Sequence, residues 1–182
     1  MFKYLTKGKR GRIYVENGIA IKKSLPERVK NESYWLKILN KHNIGPKLIE
    51  TKKNYFKYKF IEGEFILDYF KSNNSKPIII DVLKQCRTMD KLKMNKLEMQ
   101  NPYKHIIICN KKPIVIDFER AYKTKNPKNV TQFCQFLMSR KVCDITKYKV
   151  NKKELIKLLK EYKNNETDNN FNKILKYFRN LY

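Results

Sequence analysis

One carboxylate closes the run Pro113-Ile114-Val115-Ile116-Asp117, with Phe118, Glu119 and Arg120 directly behind it. The run is short, rich in β-branched residues and preceded by the turn residues Asn110-Lys111-Lys112, so it predicts a buried strand that ends on Asp117. A carboxylate at the end of a buried strand needs a cation or hydrogen-bond donors, and a divalent metal that takes oxygen ligands is one such cation. Lys22 closes a second short apolar run, Gly18-Ile19-Ala20-Ile21, where an ammonium can seat phosphate oxygens. Gly8 and Gly11 flank the basic pair Lys9-Arg10, in a turn where backbone N–H groups can approach phosphate. Further on stands Glu98, followed by Lys104 and His105.

These side chains need elements that bring them together. Ser24-Leu25-Pro26 predicts a helix start, with Ser24 as the cap and the proline in the first turn. Val29, Glu32, Leu36 and Leu39 then follow at spacings of one helical face. Glu32 lies within that apolar stripe, so a buried cation is its expected partner, and Lys22 on the preceding strand is the candidate. Asn43-Ile44-Gly45-Pro46 is a helix stop. A strand pair over Lys47 to Glu50 and Tyr55 to Ile61 comes next, then the Glu62-Gly63 break, then an apolar helix-length run over Ile78 to Met89. Past Asn151, Leu155, Leu158, Leu159 and Tyr162 mark one amphipathic helix, and Phe171, Ile174, Leu175, Phe178 and Leu181 mark a last one.

Taken in chain order, Ile19-Ala20-Ile21-Lys22, Glu98, Lys104-His105, Ile116-Asp117-Phe118-Glu119-Arg120-Ala121 and Asn129-Val130-Thr131 resemble the motifs of small archaeal RIO-like kinases. That group carries a Glu, then Pro-x-Lys-His, then Ile-Asp-Phe-Glu, then Asn-Val-Thr, and the resemblance runs from Lys7 to about Leu137. The chain departs from it at Lys96-Leu97, where His-Gly is usual, and at Gly11, where Ser is common. The resemblance implies an α+β, two-lobed protein-kinase-like fold of minimal RIO type. It implies a small, mostly β N-lobe over residues 1–61, a hinge and helical C-lobe over 62–182, and little or no activation segment. It also implies ATP and Mg²⁺. Lys22, held by Glu32, would seat the α- and β-phosphates beneath the Gly8-to-Gly11 turn, and backbone near Lys59 and Ile61 would read the adenine edge. Asp117 would bind Mg²⁺, with His105 or Lys104 near the place of the second metal-binding residue. Lys104 would meet phosphate as a cation, because a lysine ammonium has no lone pair for a metal. Glu98 would orient the attacking hydroxyl and accept its proton.

Charge points to the acceptor. The 182 residues hold 42 Lys and Arg against 17 Asp and Glu, a net charge of +25, which a polyanion would neutralise. Lys9, Arg10 and Arg12 crowd the start, and Arg120, Lys123, Lys125 and Lys128 lie just past Asp117, where an acceptor would enter. Tyr122 and Tyr148, set among bases, can stack on unpaired nucleotides, so RNA is the expected partner. Cys86, Cys109, Cys134 and Cys143 have no paired spacing and exclude a zinc or disulfide framework. No apolar stretch approaches membrane-spanning length, and the expected compartment is cytoplasmic. The relatives that the resemblance implies are RNA kinases that phosphorylate the 2′-hydroxyl of a uridine in the tRNA variable loop. Two alternatives are a RIO-like Ser/Thr protein kinase within an RNA-associated complex, and a degenerate protein that binds nucleotide and RNA without catalysis.

Overall fold

The computed structural model describes residues 3–8 and 11–181, and the fold is α+β. Strands β1 (Lys3–Gly8), β2 (Gly11–Glu16), β3 (Ile19–Lys23), β4 (Leu48–Thr51) and β5 (Tyr55–Lys59) form one sheet in the order β1-β2-β3-β5-β4, every neighbour antiparallel. Asn17-Gly18, both at positive φ, make the tight turn between β2 and β3. Between β3 and β4 the chain forms α1 (Pro26–Asn40), whose residues Val29, Glu32, Ser33, Trp35, Leu36 and Leu39 are buried. Its N-cap is Leu25 and not Ser24, and no side chain caps it; Leu25 is extended, as a residue before proline must be.

Gly45 ends the turn after α1 at φ +79°, where a Cβ would stand 2.9 Å from the Leu36 side chain and 3.0 Å from the Phe118 ring. Only glycine fits that contact, which presses the end of α1 against the residue following Asp117.

Beyond Phe60 the chain is mostly helical. Strand β6 (Glu64–Phe65) leads to α2 (Ile66–Ser72) and α3 (Lys76–Lys91), then β7 (Met94–Asn95) and a 3₁₀ turn over Leu97–Gln100. Strand β8 (Ile106–Cys109) pairs with β6 on one side and with β9 (Lys112–Val115) on the other in a small antiparallel sheet, and β10 (Tyr122–Lys123) pairs with β7. Helices α4 (Asn129–Leu137), α5 (Arg140–Thr146), α6 (Lys152–Asn164) and α7 (Asp168–Arg179) complete the chain. Buried apolar residues from Val29 to Leu181 form one continuous cluster, so sheet, α1 and the later helices share a core. Cys86 and Cys134 are buried within it, and burial pushes both thiols up. Tyr148, expected to meet bases, is half-buried against the core, and its hydroxyl accepts from Ser75 Oγ at 2.9 Å. Among the described residues no helix is long and apolar enough to cross a membrane.

A buried polar clasp holds the 3₁₀ turn in place. Asp90 at the end of α3 is fully buried, and its Oδ1 accepts from Asn129 N at 3.0 Å and Asn129 Nδ2 at 2.8 Å. Its Oδ2 accepts from Tyr162 Oη at 2.9 Å and Val130 N at 3.4 Å, so a carboxylate caps the N-terminus of α4. Asn129 in turn accepts from Lys96 N through Oδ1 at 2.9 Å, which anchors the loop leading to Glu98. Burial outweighs these hydrogen bonds and raises the Asp90 pKa to about 6. A carboxyl whose folded pKa lies above its unfolded value contributes stability below the unfolded pKa, and that contribution is lost as pH rises through 6. Relative to Asp90→Asn, the parent should therefore lose about 2 kcal/mol of unfolding free energy between pH 4 and pH 7, each tenfold change in proton affinity being worth about 1.36 kcal/mol. Urea unfolding of both proteins at the two pH values checks this; a difference that is flat or grows with pH would show that Asp90 does not titrate as described.

Candidate active site

A cavity of about 690 Å³ opens between the five-stranded sheet and the helical part, within the range of ligand sites. Its apolar wall includes Ile13, Phe56, Tyr58, Phe60 and Ile61, and its polar end carries Lys22, Glu32, Glu98, Asp117, Glu119 and Arg120.

Lys22 on β3 is the centre of that end. Its ammonium donates to Glu32 Oε2 at 2.7 Å and to Asp117 Oδ1 at 2.9 Å, and lies 3.7 Å from Glu119 Oε2. Burial works against the ammonium, but the Glu32 and Asp117 carboxylates outweigh it and hold the Lys22 pKa above the ordinary lysine value. Glu32 projects from the inward face of α1, with its side chain 6 % exposed, and Oε1 accepts from the Phe118 N–H at 3.2 Å. Burial, with the Asp117 carboxylate adding to it, raises the Glu32 pKa against the pull of Lys22.

Asp117 follows β9 at φ +65°, a left-handed conformation that a non-glycine residue adopts only when its surroundings hold it there. That geometry turns its carboxylate back to Lys22. Burial opposes ionisation, yet Lys22 and Lys96 hold Asp117 below its usual pKa. His105 Nδ1 lies 3.6 Å from Asp117 Oδ2 and has no hydrogen-bond partner. Burial first, and Lys96 second, lower the His105 pKa, so its imidazole is neutral at pH 7 and keeps a lone pair.

Glu98 sits on the 3₁₀ turn with its side chain 13 % exposed, between two cations. Lys96 Nζ donates to its Oε2 at 2.9 Å, and the Arg120 guanidinium stands 3.7 Å from Oε1.

Oxygen atoms of Glu32, Asp117 and Glu119 lie within 4.8 Å of one another, a set of hard donors suited to magnesium; His105 falls outside that set. The other sequence candidates divide. Gly11, Ile61 and Lys104 line the cavity. Gly8 is the register partner of Gly11 at the end of β1. Lys59 does not line the cavity; its backbone N–H donates to Lys47 O at 2.8 Å inside the sheet, so Phe60 and Ile61 form the wall there. Arg12 is exposed on β2, opposite Lys23. Arg120 reaches into the cavity, while Lys123, Lys125 and Lys128 are exposed along the segment that follows. Lys9 and Arg10 lie outside the described residues.

Two residues of the candidate site are given no role by a reading of the sequence. Lys96 is wholly buried; besides Glu98 it donates to the Asp117 backbone carbonyl and stands 5.3 Å over the Phe118 ring. It joins the Glu98 turn to the Asp117 turn through one ammonium. The sequence marks it only as a departure from the motif it resembles, and as one basic residue among 42 it carries no sign of burial. Glu119 joins the carboxylate group, and its spacing of two from Asp117 is the signal that was available. No protein-family model matches this chain, and the curated proteins searched hold no match to it.

Proposed function

We propose that this protein is a minimal, RIO-like, two-lobed kinase that transfers the γ-phosphate of ATP to a ribose 2′-hydroxyl of a tRNA, at a uridine of the variable loop. One observation carries the reading. Lys22 bridges Glu32 and Asp117 at 2.7 and 2.9 Å inside a cavity that Glu98 also lines. A strand lysine paired with a helix glutamate, next to a strand-end aspartate, is the arrangement that seats nucleotide phosphates in kinases. The short connection from Asp117 to α4 leaves little room for a peptide-docking segment, and the exposed bases along it favour an RNA acceptor.

In this reading Lys22 exchanges part of its carboxylate shell for phosphate oxygens, with Glu32 fixing its position. The apolar wall of Phe56, Tyr58 and Ile61 takes the adenine ring, and Lys104 and Arg120, which line the same cavity, supply cations for the transferred phosphoryl group. Asp117 and Glu119 are the oxygen donors that fit Mg²⁺, whose chemistry here is to neutralise charge on the phosphates. Glu98 accepts the proton of the attacking hydroxyl. Lys96 keeps that carboxylate aimed through its hydrogen bond to Oε2. The transition state is loose, so the base acts chiefly through alignment.

Incubation with γ-labelled ATP and Mg²⁺, with tRNA and protein pools offered separately, tests the reading. Label in tRNA alone is expected. Label in protein alone favours the protein-kinase alternative, and nucleotide binding with no transfer to either pool favours the non-catalytic one. Glu98→Gln keeps an oxygen for Lys96 and removes the base, so transfer should fall about 10²–10⁴-fold with little change in melting temperature. A single-turnover rate equal to the parent's would remove Glu98 from the mechanism.

A further inference from the structure

A second concavity lies on the outer side of α1, away from the cavity. It encloses about 800 Å³ between the outward face of α1 and the turn joining β4 to β5. Lys30, Tyr34 and Lys37 line it from the helix, and Lys52 and Lys53 from the turn, with Glu27 the acid among its lining residues. Positions 30, 34 and 37 share one helix face by spacing. Among the described residues no carboxylate stands within ion-pair distance of the Lys30, Lys37 or Lys53 ammonium groups. Lys52 lies 3.3 Å from Glu50, a carboxylate that Lys57 already holds at 2.7 Å. Lys30, Lys37 and Lys53, with Lys52 sharing Glu50 with Lys57, thus give the concave surface an excess of positive charge. Tyr34 is 53 % exposed and rests edge-on against buried Trp35 at 5.1 Å, which fixes the ring while leaving it open to solvent.

We infer that this groove is a docking surface for unpaired RNA, with phosphates on Lys30, Lys37, Lys52 and Lys53 and a base stacked on Tyr34. Charge complementarity selects a polyanion, and a fixed, exposed aromatic ring among lysines selects one that carries flat bases. Asn31, itself a lining residue of the groove, and Trp35 tie α1 to the candidate active site. Asn31 Nδ2 donates to the Glu119 and Ala121 carbonyls, each at 2.9 Å, and Trp35 Nε1 donates to Ala121 O at 3.1 Å. The segment so clasped continues into exposed Tyr122 and Lys123. The inference rests on the RNA reading above for its choice of partner, and not on catalysis.

The test uses the full chain, a labelled oligouridine and a tRNA transcript, each titrated across salt. Substituting Lys30, Lys37, Lys52 and Lys53 together by Ser should lower the slope of log affinity against log salt for the oligouridine by about 2–3 units, at roughly 0.7 per phosphate contact on a single strand. Tyr34→Ser should weaken binding about 5- to 100-fold at unchanged slope, the loss expected for one stacked base. All five positions are exposed, so melting temperature and ATP binding should stay at parent values and serve as the folding control. Unchanged affinity and slope in both variants would overturn the inference. Poly-glutamate binding with the same sensitivity to both variants would also overturn it, in favour of an acidic peptide. Altered slopes with no label transferred to tRNA would keep the groove and refute the RNA-kinase reading; transfer to tRNA with unaltered slopes would do the reverse.

Discussion

Asp117→Ala should reduce phosphoryl transfer by about 10³-fold or more, since a metal-ligating carboxylate supplies several kcal/mol of charge stabilisation at about 1.36 kcal/mol per tenfold. RNA affinity should hardly change, because the exposed bases that would bind it lie along Arg120 to Lys128 and on the outer face of α1. The fold should also survive, since Lys22 keeps Glu32 at 2.7 Å and Glu119 at 3.7 Å when Asp117 is removed. Asp117 is held at φ +65°, so alanine adds backbone strain of its own. Asp117→Asn is the companion variant: asparagine tolerates that conformation and keeps the shape while removing the charge. Both variants should lose activity alike, with the asparagine closer to the parent in melting temperature. Single-turnover transfer within a few-fold of the parent in Asp117→Asn would take this residue out of the chemistry.

Lys22→Ala should be comparably severe for activity and should carry a stability cost as well. It leaves Glu32 buried without its cation and strips Asp117 of its closest partner. Breaking a buried ion pair from one side costs about 3–5 kcal/mol, and for a domain of this size that is a fall of roughly 10 °C in melting temperature. Glu32→Ala should cost less, because Lys22 retains Asp117 and Glu119. The double substitution should be milder than the sum of the two by about 1–3 kcal/mol, since the uncompensated Glu32 charge disappears together with its partner. Denaturant unfolding of the four proteins supplies the cycle, and transfer rates supply a parallel one. Strict additivity in both would mean that Lys22 and Glu32 do not act as a unit.

The sequence carried much of this arrangement, for definite physical reasons. Apolar runs of strand length leading to Lys22 and Asp117 are legible from their β-branched residues, although β3 continues to Lys23 and β9 stops at Val115, because Asp117 turns into a left-handed conformation. Glu32 announced itself by standing in an apolar helical stripe, where an unpaired carboxylate is too costly to persist. Helices α6 and α7 follow directly from the 3.6-residue spacing of their apolar faces. Short elements such as α2, α5 and the β7–β10 pair carry too few residues to display a period, so tertiary contacts alone define them.

What only the tertiary structure decided is how the charges compensate one another. Lys96 is buried because the Glu98 carboxylate, the Asp117 carbonyl and the Phe118 ring converge on it from two separate turns. In a chain with 42 basic residues, no local pattern marks the one that folding will surround. The left-handed conformation of Asp117, the entry of Glu119 into the carboxylate group and the capping of α4 by Asp90 share that origin. Each joins residues far apart in the chain, and each is fixed by desolvation, which acts on a side chain only after the rest of the molecule has closed around it.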